Sequence, residues 1–499
     1  MPANLTFDDL KKAVKSGEID TVLTCIVDMQ GRMMGKRFHA QHFIDSGYEE
    51  THGCNYLLAV DMEMTTVQGY KSSNWQTGYG DYVHKPDLKT IRRLPWLPGT
   101  AMVMCDLLDH HTHALVPHAP RSVLKAQIAR AEAMGFTPMM ASELEFFLFE
   151  NSYNSLFDAG YRGMTPLSRY NIDYSILGTS KEEGVMRAIR NGLYGAGIPV
   201  ENSKGEAEAG QEEINVRYSD ALDTCDMHSI VKNGVKEIAH QQGLAASFMA
   251  KWSHKHAGSS SHIHQSLWKD GKNVFQDAKG KYGMSETMRQ YMAGQLTHAG
   301  ETTAFLAPYV NSYKRFVVGM FAPTKAVWSC DNRTAGFRVC GDGTKAVRVE
   351  CRIGGADLNP YMACAGLLAA GLAGIEGKLE LEPEISGDLY QTGGVREIPH
   401  ALRDAATLLD GSRMLRKAMG DDVIDHYVHA ARWEVSEMDR VVTDHEVHRG
   451  FERAGAGAKR RAVGCRAVGA GGHGAVGWAW ARWVASHLIR RADAQHGEP

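Results

Sequence analysis

Four short stretches of this 499-residue chain carry polar or ionisable side chains at alternate positions. Glu143 and Glu145 lie in Ala141-Ser-Glu143-Leu-Glu145-Phe-Phe-Leu-Phe149, and Glu213, Asn215 and Arg217 lie in the run from Gln211 to Tyr218. His262, His264 and Ser266 form a third set, and Arg348, Glu350 and Arg352 a fourth. On a β-strand, alternate residues share a face, about 6–7 Å apart along the chain. Phe146, Phe147, Leu148 and Phe149 need burial on both faces, so the two carboxylates beside them sit in a buried setting. Like carboxylates held close together repel, and they stay ionised when cations neutralise them. Hard divalent ions with oxygen ligands, Mg²⁺ or Mn²⁺, suit such a set, and a histidine among the ligands leans towards Mn²⁺. The interleaved arginines suit anionic substrates. A solvated face would explain any one stretch; a two-metal, phosphate-handling pocket explains all four.

The elements that must position these residues are legible from periodicity and turn chemistry. A short helix is expected over 7–17, then a hairpin whose strands, 21–27 and 36–43, flank a turn-rich 28–35. The polar stretch 63–92 has little periodicity and reads as a long functional loop. A strand at 101–107 precedes a helix at 120–135 with a Pro start and a Gly stop. Strand-like segments then alternate with helices at 181–195, 220–243 and 286–307, and 359–453 reads as mostly helical. Its first helix, 360–374, is so rich in Ala, Gly and Leu that it must be packed on most sides.

Composition narrows the class. Basic residues number 55 and acidic residues 58, for a net charge of −3, which argues against a surface built to grip nucleic acid or anionic lipid. Mean hydropathy is −0.31, and no apolar run approaches the length of about 18 residues that a membrane span needs. The first residues have no apolar core of a secretory signal, and nine scattered cysteines without a C-x-x-C pair read as reduced thiols of a cytoplasmic protein. Residues 454–499 differ, with nine Gly, twelve Ala, seven basic and two acidic residues, and read as a poorly ordered extension. Their Gly469-Ala-Gly471-Gly-His-Gly474 follows no strand and is discarded as a dinucleotide site. Walker, H-E-x-x-H and G-x-S-x-G patterns are absent, and Asp109-His-His-Thr-His113 reads as a surface loop.

Several motifs agree in order and spacing with one family. Asn311-Ser-Tyr-Lys-Arg315-Phe, Asn332-Arg333-Thr-Ala-Gly-Phe-Arg338, Lys345-Ala-Val-Arg348-Val-Glu350-Cys-Arg352 and Asn359-Pro-Tyr361 join the Glu143/Glu145 strand, Glu206 to Glu213, and His262-x-His264. Over about residues 20–453 the chain resembles the glutamine synthetase family, type I-like, in its γ-glutamylamide or γ-glutamylpolyamine synthetase-like subgroup. The resemblance implies an α+β fold: a β-grasp-like domain (1–110), then a catalytic domain (111–453) with a curved antiparallel sheet flanked by helices. It also implies stacked six-membered rings, a dodecamer, with active sites between neighbouring subunits. It carries roles onto matching positions. Glu145, Glu206 and Glu213 match the ligands of the metal next to glutamate, and Glu143, His262 and Glu350 those of the metal on the nucleotide phosphates. Arg315 and Arg352 match the groups that hold the glutamate carboxylates, with Gly258 and Phe321 as further substrate-binding positions. Arg333 and Arg338 match the arginines beside the transferred phosphate; His264, Ser266, Lys345 and Arg348 lie where the family holds ATP.

The implied reaction joins L-glutamate to ammonia or a primary amine through γ-glutamyl phosphate, with ATP as the second substrate and Mg²⁺ or Mn²⁺ as cofactor. Three departures shape the expected amine. Phe321 stands where glutamine synthetases have a flap glutamate, and Asp61-Met-Glu63-Met64 replaces their ammonium-attracting loop with Asp61 retained. Ala257 replaces an asparagine that touches glutamate. The first two changes make the amine pocket less anionic and more apolar, which favours an organic amine (methylamine, a polyamine or an aromatic amine) over ammonium. An ordinary glutamine synthetase is the second reading and a catalytically silent ring-forming scaffold the third; retention of all six ligand positions argues against the last. Tyr390 lies near where some bacterial members are adenylylated.

Overall fold

The structure is a computed structural model that describes residues 5–454. Apart from Ala454, the extension at 454–499 lies outside the described residues, as does its glycine motif. The first helix, Phe7–Lys15, starts at Thr6, whose side chain and Asp9 cap each other reciprocally. The expected hairpin forms from β1 (Thr21–Val27) and β2 (Met33–His39), and Asp28 fastens its turn by accepting from Arg32 N at 2.8 Å. β3 (Thr51–Cys54), β4 (Asp81–Pro86), β5 (Arg92–Arg93) and β6 (Thr100–Asp109) complete a six-stranded sheet in the order β2-β1-β6-β4-β3, with β5 beside β6. The β1–β6 pair is parallel, giving this grasp-like sheet its mixed character.

One expectation fails here. The stretch 63–92 is not a single loop, because β4 pairs with both β3 and β6 and buries Tyr82, Val83 and His84. Charged ends and Pro86 mask the strand in the sequence, whereas its place between two partners decides it in the fold.

The second sheet holds β7 (Thr137–Phe149), β8 (Val200–Gly205), β9 (Gln211–Val216), β10 (Ser219–Asp220), β11 (Ala245–Ser247), β12 (Ser261–Lys269), β13 (Lys272–Asn273), β14 (Trp328–Cys330), β15 (Phe337–Cys340) and β16 (Arg348–Cys351). Its order is β14-β15-β16-β12-β7-β9-β8, antiparallel except for the β14–β15 pair. The two faces of β7 are both dry at its end. Leu144, Phe146 and Leu148 join the main core with Ile214, Ile263 and Met227, and Phe147 and Phe149 join a separate cluster with Leu156 and Ala245, against which Trp252 packs. Helices Pro120–Ala133, Ile176–Gly195, Ala221–Gln241 and Pro360–Glu376 add side chains to the same main core.

In Pro360–Glu376, 14 of 17 residues are buried, as its composition requires. Its Gly374 and the facing Gly294 of Glu286–Thr297 have no room for a side chain: a Cβ on either would stand 2.1 Å from the other helix's carbonyl oxygen. The expected helix over 286–307 is two, Glu286–Thr297 and Ala299–Leu306, broken where His298 leaves the helical path and its ring pairs with Glu301 at 2.9 Å. Within the expected helical region, 378–401 carries neither helix nor strand, in keeping with Pro383, Gly387, Gly393, Gly394 and Pro399. A compact unit ends at Val441; beyond it the helix Asp444–Gly450 has its own Thr443–Glu446 capping box. No helix among the described residues is long and apolar enough to cross a membrane.

Candidate active site

β7 is the axis of the site. Glu143 stands opposite His262 of β12 and Asn215 of β9, and Glu145 stands opposite Glu213 of β9. Beyond β12, His264 faces Glu350 of β16, which in turn faces Arg338 of β15. Opposed residues hold their Cβ atoms about 4.5–5.5 Å apart, so register assembles what the chain separates. Two clusters result, Glu143/His262/Glu350 and Glu145/Glu206/Glu213, each with ligand atoms within 4.8 Å of one another. Ligand atoms of His264, Cys340 and Glu350 also lie within 4.8 Å of one another. Both ring nitrogens of His264 are engaged, however: Arg348 Nε donates to Nδ1 at 3.0 Å, and Nε2 lies 2.7 Å from Glu143 Oε1. A guanidinium only donates, so Nδ1 accepts and the Nε2 proton faces Glu143.

The electrostatics separate the clusters. Burial, then the charge of Glu206, raises the Glu145 pKa, although Ser260 N donates to its Oε2 at 2.7 Å and Ser260 Oγ to its Oε1. Burial also raises Glu213, followed by the charges of Glu145, Glu206 and Glu143. One cation is built in: Lys204, opposite Glu213 on β8, reaches Glu206 Oε1 at 2.5 Å and Asp173 Oδ1 at 3.2 Å. In the other cluster, burial opposes ionisation of Glu350, but the guanidiniums of Arg352 and Arg338 outweigh it and hold the carboxyl well below its usual range. Burial, then Arg352, pushes His262 down to about 3, so its ring is neutral at pH 7 with a buried, unpartnered Nδ1. Carboxylates short of positive charge, joined by a neutral imidazole, fit a hard divalent cation with mainly oxygen ligands.

Two cavities meet along this row. One, of about 750 Å³, is lined by both carboxylate clusters except Glu350, and by Gly258, Arg315, Phe321, Arg333, Arg338 and Arg352. The other, of about 580 Å³, is lined by His264, Ser266, Lys345 and Arg348, with Tyr218 and Trp268. Glu143, Asn202 and Asn215 line both. Gly258 is there because nothing larger fits: a Cβ would stand 2.5 Å from Arg315 Cγ and from Ala250 O. Arg315 is buried, its Nη2 spent on the carbonyls of Arg352, Ile353 and Gly354, and its Nε unpartnered. Phe321 is 58% exposed, with a φ of 52°.

Asp61 lines neither of these two cavities. Its Oδ1 accepts from Glu63 N and Thr65 N at 3.1 and 2.8 Å, and Trp433 Nε1 donates to Oδ2 at 3.1 Å. The Tyr390 hydroxyl is buried, so modification there requires its segment to open. Sequence reasoning missed Lys204, Glu208, Gln211 and Ser260. Ser260 stands two residues before His262, and extending that alternation by one step would have found it.

Residues 117–450 match the sequence model of the glutamine synthetase catalytic domain. The γ-glutamylethanolamide synthetase of Streptomyces coelicolor is 47% identical, covering 90% of this chain and 96% of that protein. The glutamate–isopropylamine ligase of a Pseudomonas species is 34% identical, covering 87% of this chain and 96% of its own length. A solved structure of GmaS with ADP superposes with a TM-score of 0.78 at 27% identity, covering 89% of this chain and 99% of that one. By the span of the catalytic domain and the length shared with these relatives, the chain belongs to the glutamine synthetase family.

Proposed function

We propose that this protein is an ATP-dependent glutamate–amine ligase that forms a γ-glutamylamide from an organic primary amine through γ-glutamyl phosphate. One observation carries the reading: two cavities share Glu143, one carrying the arginines suited to a dicarboxylate, the other the His264/Ser266/Lys345/Arg348 set suited to a triphosphate. The named substrates of the two relatives support an organic amine, and ethanolamine is the first to test.

Glu145, Glu206 and Glu213 would hold one divalent cation and Glu143, His262 and Glu350 a second, Mg²⁺ or Mn²⁺. When bound, these ions supply positive charge against the triphosphate and the acceptor carboxylate, which otherwise repel. The chain's own residues do the rest. Arg315 and Arg352 would orient the glutamate carboxylates, and Arg333 and Arg338 would neutralise the phosphoryl group as it moves to the γ-carboxylate. Carboxylate oxygen is a poor leaving group and phosphate a good one, so the neutral amine attacks the acyl phosphate. Phe321 and Met320 on the cavity wall favour an amine with a carbon substituent and disfavour water, which would hydrolyse the intermediate.

In the same reading the enzyme is a cytoplasmic dodecamer of stacked six-membered rings. Because Asp61 lies outside its own chain's site, its assignment to the amine calls for a neighbouring copy. The chain divides at 110/111 and 453/454 into grasp-like domain, catalytic domain and extension. The test is phosphate release and product mass under a panel of amines: release must depend on both glutamate and an amine, and a clear preference for ammonium in kcat/KM refutes the proposal.

A further inference from the structure

The larger cavity contains a carboxylate that neither cation cluster uses. Glu208 lies between Glu206 and the Gly210-Gln211 turn, and its side chain lines the wall beside Ala257, Gly258 and Arg315. Backbone groups hold it in place: Ala257 N donates to Oε2 at 3.0 Å and Ala209 N to Oε1 at 3.1 Å. His256 Nδ1 lies 3.3 Å from Oε1, with its ring stacked on Trp252 at 4.6 Å. Backbone donors on both oxygens suit the anionic form of this carboxylate. A carboxylate offers about four lone-pair sites, and the two backbone hydrogen bonds leave capacity for a further donor.

The other acids of this cavity are differently occupied. Glu143, Glu145, Glu206 and Glu213 belong to the two clusters, and Asp173 is paired with Lys204 at 3.2 Å. Arg315, packed against Gly258, has a buried Nε with no partner. Going along the wall from Arg315 through Gly258 and Ala257 to Glu208, a cation with an unpartnered Nε is followed by a carboxylate outside both clusters. An amino acid's α-carbon carries the complementary pair, a carboxylate and an ammonium.

Resting on the ligase reading above, we propose that Glu208 binds the α-ammonium of the acceptor. With Arg315 it forms a dipolar wall that selects an α-amino dicarboxylate over the same dicarboxylate without its amino group. Ala257 fits this role: its side chain is a bare methyl while its backbone N–H orients the carboxylate that makes the contact. No bond is made or broken at Glu208, which makes it a specificity-determining residue.

The test is binding of L-glutamate and of glutarate, which lacks only the α-ammonium, to the full-length protein with Mn²⁺ and ADP, measured by titration calorimetry. The wild type should bind glutamate at least about 10-fold more tightly than glutarate, the scale of a charge-assisted hydrogen bond. Glu208→Gln should collapse that ratio to about 3-fold or less by weakening glutamate alone, and Glu208→Asp should restore part of it. If Glu208→Gln weakens both ligands equally, or leaves the ratio intact, the proposal is overturned. An unfolded Glu208→Gln protein would be seen as a loss of nucleotide binding, and Glu208→Asp then decides alone. Failure of the ligase reading would look different, as no amine-dependent phosphate release by the wild type.

Discussion

Replacing Glu213 with Gln should stabilise the ion-free protein and abolish its activity. Glu213 is 6% exposed and shares its cluster with Glu145 and Glu206, all with oxygens within 4.8 Å. Two unit charges at that separation repel by about 3.5 kcal/mol at an effective dielectric constant of about 20. Part of that cost is avoided, because the raised pKa lets the group hold a proton, and Lys204 across the strand pair offsets more. A gain of about 1–3 kcal/mol remains for Glu213→Gln at pH 8 in EDTA. The amide still accepts from Asn215 Nδ2, which reaches Glu213 Oε1 at 2.8 Å, so no buried group is orphaned.

Excess Mn²⁺ should reverse the order. At 100 times its Kd a bound ion stabilises the wild type by about 2.7 kcal/mol, whereas the variant, short of one charged ligand, gains far less. Urea denaturation with EDTA and with Mn²⁺, at one protein concentration, reads both arms, and kcat/KM should fall by at least about 100-fold. A variant less stable than wild type in EDTA would refute the reasoning, because Glu213 would then be a satisfied structural carboxylate.

Three further outcomes are expected. Phe321→Glu should move the kcat/KM ratio of ammonium to ethanolamine about 10-fold towards ammonium, since a carboxylate at the rim attracts the small cation; an unchanged ratio would take Phe321 out of the amine site. Lys204→Met removes the ammonium seated on Glu206 and Asp173, and should tighten Mn²⁺ binding about 10-fold in calorimetry, while equal or weaker binding would count against Lys204 as a built-in counter-ion. The third concerns pH. Burial pushes His118 down to about 4, so the unfolded chain takes up its proton first and stability is lost as pH falls from about 6.5 towards 4, by up to about 1.4 kcal/mol per pH unit. Urea melts at pH 7 and pH 5 should therefore show a shallower loss for His118→Gln than for wild type, and identical slopes would sink the argument.

The charged strands were legible because alternation is a local property, readable without a partner. Which residues meet could not be read from alternation, because register belongs to the pairing; only the resemblance grouped Glu145 with Glu206 and Glu213, and Glu143 with His262 and Glu350. No local pattern near Glu145 says that Glu213 will face it, or near Glu143 that His262 will, yet those oppositions seed the two clusters. Lys204 escaped for a related reason. β8 is short and polar, and its register slips between Val200 and Asn202, so no alternation marks it even though it supplies the cation of the cluster. The fold was misread where tertiary burial overrides propensity, as in β4, whose Asp81-Tyr-Val-His-Lys-Pro86 is a strand only because β3 and β6 flank it.

Asp61 marks the other boundary of what one chain can say. Its residue type suggested an acid near the amine, but its carboxylate is consumed by two backbone donors of its own turn and by Trp433. An acid so committed shapes a loop before it attracts a cation. In the ring reading, the loop Asp61-Met-Glu63-Met64 is what a neighbouring copy would meet, and Asp61 keeps that loop in form while Glu63 is exposed. The charge presented to a neighbour's amine would then come from Glu63 as much as from Asp61. The two substitutions separate the roles: Glu63→Gln should weaken amine KM with the fold intact, whereas Asp61→Asn should also lower thermal stability by releasing the turn. Equal effects on stability from both would return Asp61 to the role of a free acid.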